Sequence, residues 1–155
     1  FIELQKRGLC RSIGVSNFTI ENLKELEKKY DVLPAINQVE FHPYHYQKEL
    51  LEYCNSKNII IEAYSPLVHA KRMDEPRLIA ISDELSKTPA QVLIRWAIQK
   101  GMVVLPKSVN QDRIVENFAV FDFEISNSLM KRLDDLDERY VTCWDPHNPP
   151  PYAPV

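Results

Sequence analysis

The residues with the clearest chemistry lie in the stretch Leu105-Pro-Lys-Ser-Val-Asn-Gln-Asp-Arg-Ile-Val-Glu-Asn117. Lys107 and Ser108 leave the C-terminal end of Met102-Val-Val-Leu105, a run of branched residues bounded by Gly101 and Pro106 that reads as a short buried strand. Asn110 stands where a helix N-cap belongs. Asp112 falls in the first turn, where a negative charge meets the positive end of the helix dipole. Arg113, Glu116 and Asn117 share one helix face, because spacings of three and four residues do. A cationic turn, a helix N-terminus and an arginine one turn in can together hold a phosphate monoester. The same residues also suit a solvated basic turn on an ordinary helix.

Such a turn needs a scaffold, and the chain supplies alternating strands and helices. Residues 1–7 read as the last turns of a helix stopped by Gly8, with no helix start before them. Residues 10–15 form a strand, and Thr19 caps a helix over 20–30 with Ile20, Leu23, Leu26 and Tyr30 as its apolar stripe. Strands follow at 35–39 and 59–63, separated by a helix over 47–57 that turns Leu50, Leu51 and Cys54 inward and stops at Asn58. A short polar connection, 68–75, leads to a helix over 76–86. Pro89 opens the next helix, through Val92, Leu93, Trp96 and Ala97. After the strand at Met102 and the helix at Asn110, a last helix capped by Ser126 carries Leu129, Met130, Leu133 and Leu136. The tail from Val141 holds five of the eleven prolines and is expected to be irregular.

Strands alternating with helices predict an α/β fold with a parallel sheet. Ser16, Asn17, Gln38, Tyr64, Ser65, Lys107 and Ser108 all fall at or just past the C-terminal ends of these strands, the edge where both doubly wound sheets and β/α barrels bind ligands. The chain has only three glycines, Gly8, Gly14 and Gly101, so no glycine-rich dinucleotide fingerprint is present.

Composition narrows the function classes. The chain's 155 residues suffice for one domain with a core, and 45% hydrophobic with 26% charged residues is ordinary for a soluble globular protein. A net charge of −3 argues against a nucleic-acid partner. No apolar run reaches membrane-spanning length, and the first residues do not read as a signal peptide. Cys10, Cys54 and Cys143 are odd in number and widely spaced, which fits neither a disulfide framework nor a zinc site and points to a reducing cytosol. His45, His69 and His147 have no carboxylate or thiol at ligand spacing, so no metal site is expected.

Five blocks in order, Gly14-Val-Ser-Asn-Phe18, Asn37-Gln-Val-Glu-Phe-His-Pro-Tyr44, Ala63-Tyr-Ser-Pro-Leu67, Thr88-Pro-Ala-Gln-Val-Leu-Ile-Arg-Trp96 and Pro106-Lys-Ser-Val109, resemble the aldo-keto reductases. The resemblance runs from about Gly8 to Leu136. It implies an eight-stranded β/α barrel that reduces aldehydes or ketones with NADPH. By the same resemblance, Ser16, Asn17 and Gln38 match the residues that hydrogen-bond the nicotinamide carboxamide, and Tyr64 matches the aromatic that stacks on its ring. Ser65 and Leu67 match the pyrophosphate loop. Lys107, Ser108 and Arg113 match the clamp on the adenosine 2′-phosphate, with Val109 in the same turn, and Glu116 and Asn117 match the adenine contacts. Asn110 stands where several relatives have Thr. The connection 68–75 is shorter than the cofactor-covering loop of longer relatives.

The family's catalytic Asp, Tyr, Lys and His lie in the N-terminal half of its barrel, so no catalytic residue is expected in this chain. His42 and Tyr44 sit in a block that is a structural turn in the family, and His42 reads as a scaffold histidine. A whole barrel takes about 250 residues, and only about four of its eight strands are present here. The expectation is one partial domain: a half-barrel over about 8–136 and a C-terminal loop and tail over 137–155. A missing N-terminal half would be its partner, and the start within a helix reads as a fragment. Such a half-barrel leaves two open edges and turns barrel-centre side chains toward water. Trp144, a large apolar side chain in a polar tail, is expected to border the substrate pocket. The alternative function is a non-catalytic nucleotide-binding or assembly module.

Overall fold

The computed structural model describes residues 1–146. Four strands, β1 (Gly14–Ser16), β2 (Ile36–Glu40), β3 (Ile60–Tyr64) and β4 (Val103–Val104), form one sheet in the order β1-β2-β3-β4. Every pairing is parallel. The helices are α1 (Ile2–Lys6), α2 (Ile20–Lys29), α3 (Lys48–Ser56), α4 (Pro76–Leu85), α5 (Pro89–Gln99), α6 (Gln111–Phe118) and α7 (Asn127–Asp134). A sequential parallel order with a helical connection after each of the first three strands is the winding of a β/α barrel arc.

Local sequence sets the helix ends. Thr19 and Thr88 each close a capping box, with Asn22 and Gln91 respectively. Ser126 accepts from the Leu129 N–H. Asn58, with φ of +56°, ends the α3 segment in the left-handed region, as its residue type permits. Gly8 does the same after α1 with φ of +72°.

The register sorts side chains between two faces. Val15, Asn37 and Ile61 form one row across the strands, and Val39, Ala63 and Val104 form another. These rows pack against the helix stripes that carry Leu23, Leu51, Leu78, Leu93 and Trp96, and together they make the core. The opposite face carries Ile36 and Ile60, then Ser16, Gln38, Glu62 and Val103.

Three expectations need correction. Met102–Leu105 is not a buried strand: only Val103 and Val104 pair, and Val103 and Leu105 are exposed. Strand alternation turns Met102 and Val104 toward the helices and the other two toward the uncovered face, at an edge with no partner strand among the described residues. Residues 10–13 also stay outside β1, and Tyr30 lies just past α2 and half-exposed rather than on its apolar stripe.

Candidate functional site

The turn after β4 folds as its residue types require. The Asn110 side chain accepts from the Arg113 N–H at 3.0 Å, and Ser108 Oγ accepts from the Asn110 N–H at 3.1 Å. Gln91 fastens the far end of α6 to α5 by donating to the carbonyls of Glu116 (3.3 Å) and Ala119 (2.9 Å). With both ends of α6 fixed, Arg113, Glu116 and Asn117 face a cavity of about 450 Å³ that Lys107, Ser108 and Leu67 also line. Asn117 is buried there. Neither Lys107 nor Arg113 forms an ion pair among the described residues. Two cations that pair with no carboxylate, beside a helix N-terminus, are suited to an anion, while Glu116 puts a carboxylate on the same cavity. Val109 is not among the lining residues and is 86% exposed.

A second group sits at the C-terminal ends of β1 to β3. Asn17, with φ of +57°, follows β1, and its Oδ1 accepts from the Tyr64 hydroxyl at 3.0 Å. Burial pushes the Tyr64 phenol up to about 12, with the neighbouring Cys143 and Glu40 adding to the shift, so the hydroxyl remains a donor. Ser16 Oγ donates to the Gln38 carbonyl at 3.0 Å, and the Gln38 amide donates to Glu62.

The link between the two groups is a left-handed turn. Ser65, Val68, His69 and Ala70 all have φ between +51° and +60°, and Val68–Ala70 is a short 3₁₀ turn. For a branched residue such as Val68 this conformation is a genuine outlier. Ser65 Oγ lies 3.1 Å from His69 Nε2 and 3.5 Å from Cys143 Sγ, and that sulfur is 3.5 Å from the same imidazole nitrogen. His69 therefore has a thiol neighbour in space that sequence spacing did not reveal. No three metal-ligating side chains come together among the described residues. His147 lies outside them.

Sequence reading missed Glu40. It ends β2 and is only 3% exposed. Its Oε1 accepts from the Thr142 N–H at 2.7 Å and from the Thr142 hydroxyl, and Oε2 accepts from the Cys143 N–H at 3.1 Å. His42 Nε2 sits 3.1 Å from Oε1. Burial alone would raise this carboxyl, but the bonds from His42, Thr142 and Cys143 outweigh it and hold Glu40 at about 2. The one available signal was an acid beside Val39 and Phe41 in an otherwise apolar strand end. His42 is itself buried, with Nδ1 unpartnered, as is the Tyr44 hydroxyl. Trp144, next along the tail, is 38% exposed.

The profile described as "Aldo/keto reductase family" matches residues 1–138. The chain belongs to the aldo/keto reductase family. It is 46% identical over 139 residues to the glyoxal reductase of Bacillus subtilis, covering 88% of this chain and 50% of that protein. It is 43% identical over 143 residues to aldose reductase B of Dictyostelium discoideum, covering 91% and 46%. The solved aldo-keto reductase of Bombyx mori in complex with NADP superposes with a TM-score of 0.84 at 32% identity, over 91% of this chain and 49% of that one. The chain thus spans about half the length of the relatives it matches. Its parallel sheet with outer helices is part of the family's β/α barrel.

Proposed function

We propose that the chain carries the NADPH-binding half of an aldo-keto reductase that reduces aldehydes or ketones to alcohols. The observation that carries this reading is the cavity shared by Leu67, Lys107, Ser108, Arg113, Glu116 and Asn117. Its donors fit a nucleotide phosphate: two unpaired cations, a hydroxyl and a helix N-terminus meet at one mouth. Relatives solved with NADP or NADPH at 31–32% identity support the same cofactor.

In this reading Lys107, Ser108 and Arg113 hold the 2′-phosphate, with Val109 in the same turn, and Glu116 and Asn117 hold adenine. Ser65 and Leu67 border the pyrophosphate. Asn17, fixed by Tyr64, offers its amide to the nicotinamide carboxamide beside Ser16 and Gln38, and the Tyr64 ring covers one face of the nicotinamide. When bound, the reduced nicotinamide supplies a hydride to the carbonyl carbon. The proton that completes the alcohol comes from a residue outside this chain, in the half of the barrel that would cover the open face at Ile60 and Val103. Trp144 borders the carbonyl pocket. Three free thiols suit a reducing cytosol.

The test is turnover of simple aldehydes by the full-length protein with NADPH and with NADH. The proposal expects a clear NADPH preference. Absence of turnover with both cofactors, in protein that binds neither, would refute it.

A further inference from the structure

We propose that Glu40 is a positioning residue: its carboxylate anchors Thr142 and Cys143 across the strand ends and so fixes the wall of the carbonyl pocket beside the cofactor loop. This rests on reading the strand ends as a cofactor and carbonyl site.

Four donors converge on the two Glu40 oxygens, and three of them come from residues about a hundred positions further along the chain. The carboxylate is acceptor-only, so it can take them all. An amide in its place would turn an NH₂ group toward at least one donor. The His42 imidazole lies 3.1 Å from this buried acid, and the rest of the acid's hydrogen bonding comes from the strap.

The anchored segment reaches the proposed cofactor loop. Cys143 Sγ contacts both Ser65 Oγ and His69 Nε2, each at 3.5 Å, in the left-handed turn. The order of contacts therefore runs from the end of β2, through Glu40, to Thr142 and Cys143, and on to the turn that follows β3. Trp144 is the next residue out.

The strap also has a second, separate fastening. The N–H groups of Glu138 and Tyr140 donate to the Tyr44 carbonyl at 3.2 and 2.8 Å, and Arg72 pairs with Glu138 at 3.1 Å while stacking 4.4 Å from the Tyr140 ring centre. That fastening does not involve Glu40. Removing the Glu40 carboxylate should therefore free 142–144 and leave 138–140 docked.

The experiment compares the full-length parent with Glu40→Gln and with Ser126→Ala, an N-cap change on α7 that lowers stability outside the cofactor cavity. Labelling of Cys143 by iodoacetamide, resolved by peptide mass spectrometry, reads the anchor without relying on activity. Glu40→Gln should raise the Cys143 rate at least about threefold and leave Cys10 unchanged, because the thiol loses its fixed place between Ser65 and His69. The ratio of kcat/KM for a bulky over a small aldehyde should shift at least about fivefold in Glu40→Gln and stay put in Ser126→Ala. An unchanged Cys143 rate overturns the anchor. A faster Cys143 with an unchanged substrate ratio overturns the pocket-wall role, as does an equal shift in Ser126→Ala. No carbonyl turnover in the parent removes the carbonyl-site reading and the pocket-wall role with it, while the anchor is still decided by labelling.

Discussion

Protonating Glu40 should loosen the C-terminal strap and cost measurable stability. The carboxyl sits at about 2 in the fold against an ordinary value of 4.5. Its folded pKa is depressed, so its contribution is fully present above about 4.5 and is lost as the pH falls through about 2. The group is almost wholly inaccessible, so solvent screening takes little from it. The gap between about 2 and 4.5 corresponds to about 3 kcal/mol at pH 6 and above, falling to about 1 kcal/mol at pH 3. The perturbation is Glu40→Gln, which removes the titration. Urea unfolding of parent and variant at several pH values between 6 and 3 gives the difference directly. The parent's advantage should shrink by about 2 kcal/mol across that range. A difference that stays flat with pH would show that the carboxylate is not held down by its donors, and the reasoning would fail.

Three further outcomes are expected. Trp144→Ala in the full-length protein should change the ranking of bulky and small carbonyls while NADPH affinity stays nearly fixed; an unchanged ranking with a lower Tm would remove Trp144 from the pocket. Trp96→Ala should cost about 3–5 kcal/mol in urea unfolding, because it empties a core position and strips Asp134 of the indole N–H that donates at 2.7 Å; a loss under about 1 kcal/mol would contradict the packing. The purified 155-residue chain alone should show no NADPH-dependent aldehyde reduction; robust turnover would place the proton donor within it.

What the sequence revealed followed from local rules. The Asn110 cap and the shared face of Arg113, Glu116 and Asn117 needed only helix periodicity, and the cavity they line forms where that periodicity directs them. Parallel alternation was equally local. The edge position of β4 was not, because branched residues favour a strand without saying how many neighbours it has. The Ser65–Ala70 turn was illegible for another reason. Four left-handed residues there include no glycine, so the usual signal for that conformation was missing. Glu40 was hidden by distance along the chain: its partners Thr142 and Cys143 meet it only once the tail has crossed the strand ends.

The cavity beside α6 is proposed to hold the 2′-phosphate of NADPH. Titrating the full-length protein and its Arg113→Ala variant with NADPH and with NADH tests this most directly. One lost charge-assisted contact is worth roughly 1.5–3 kcal/mol, so NADPH should weaken by about 10- to 150-fold. NADH, which lacks the phosphate, should change little. Equal losses for both cofactors, or none for either, would contradict the account.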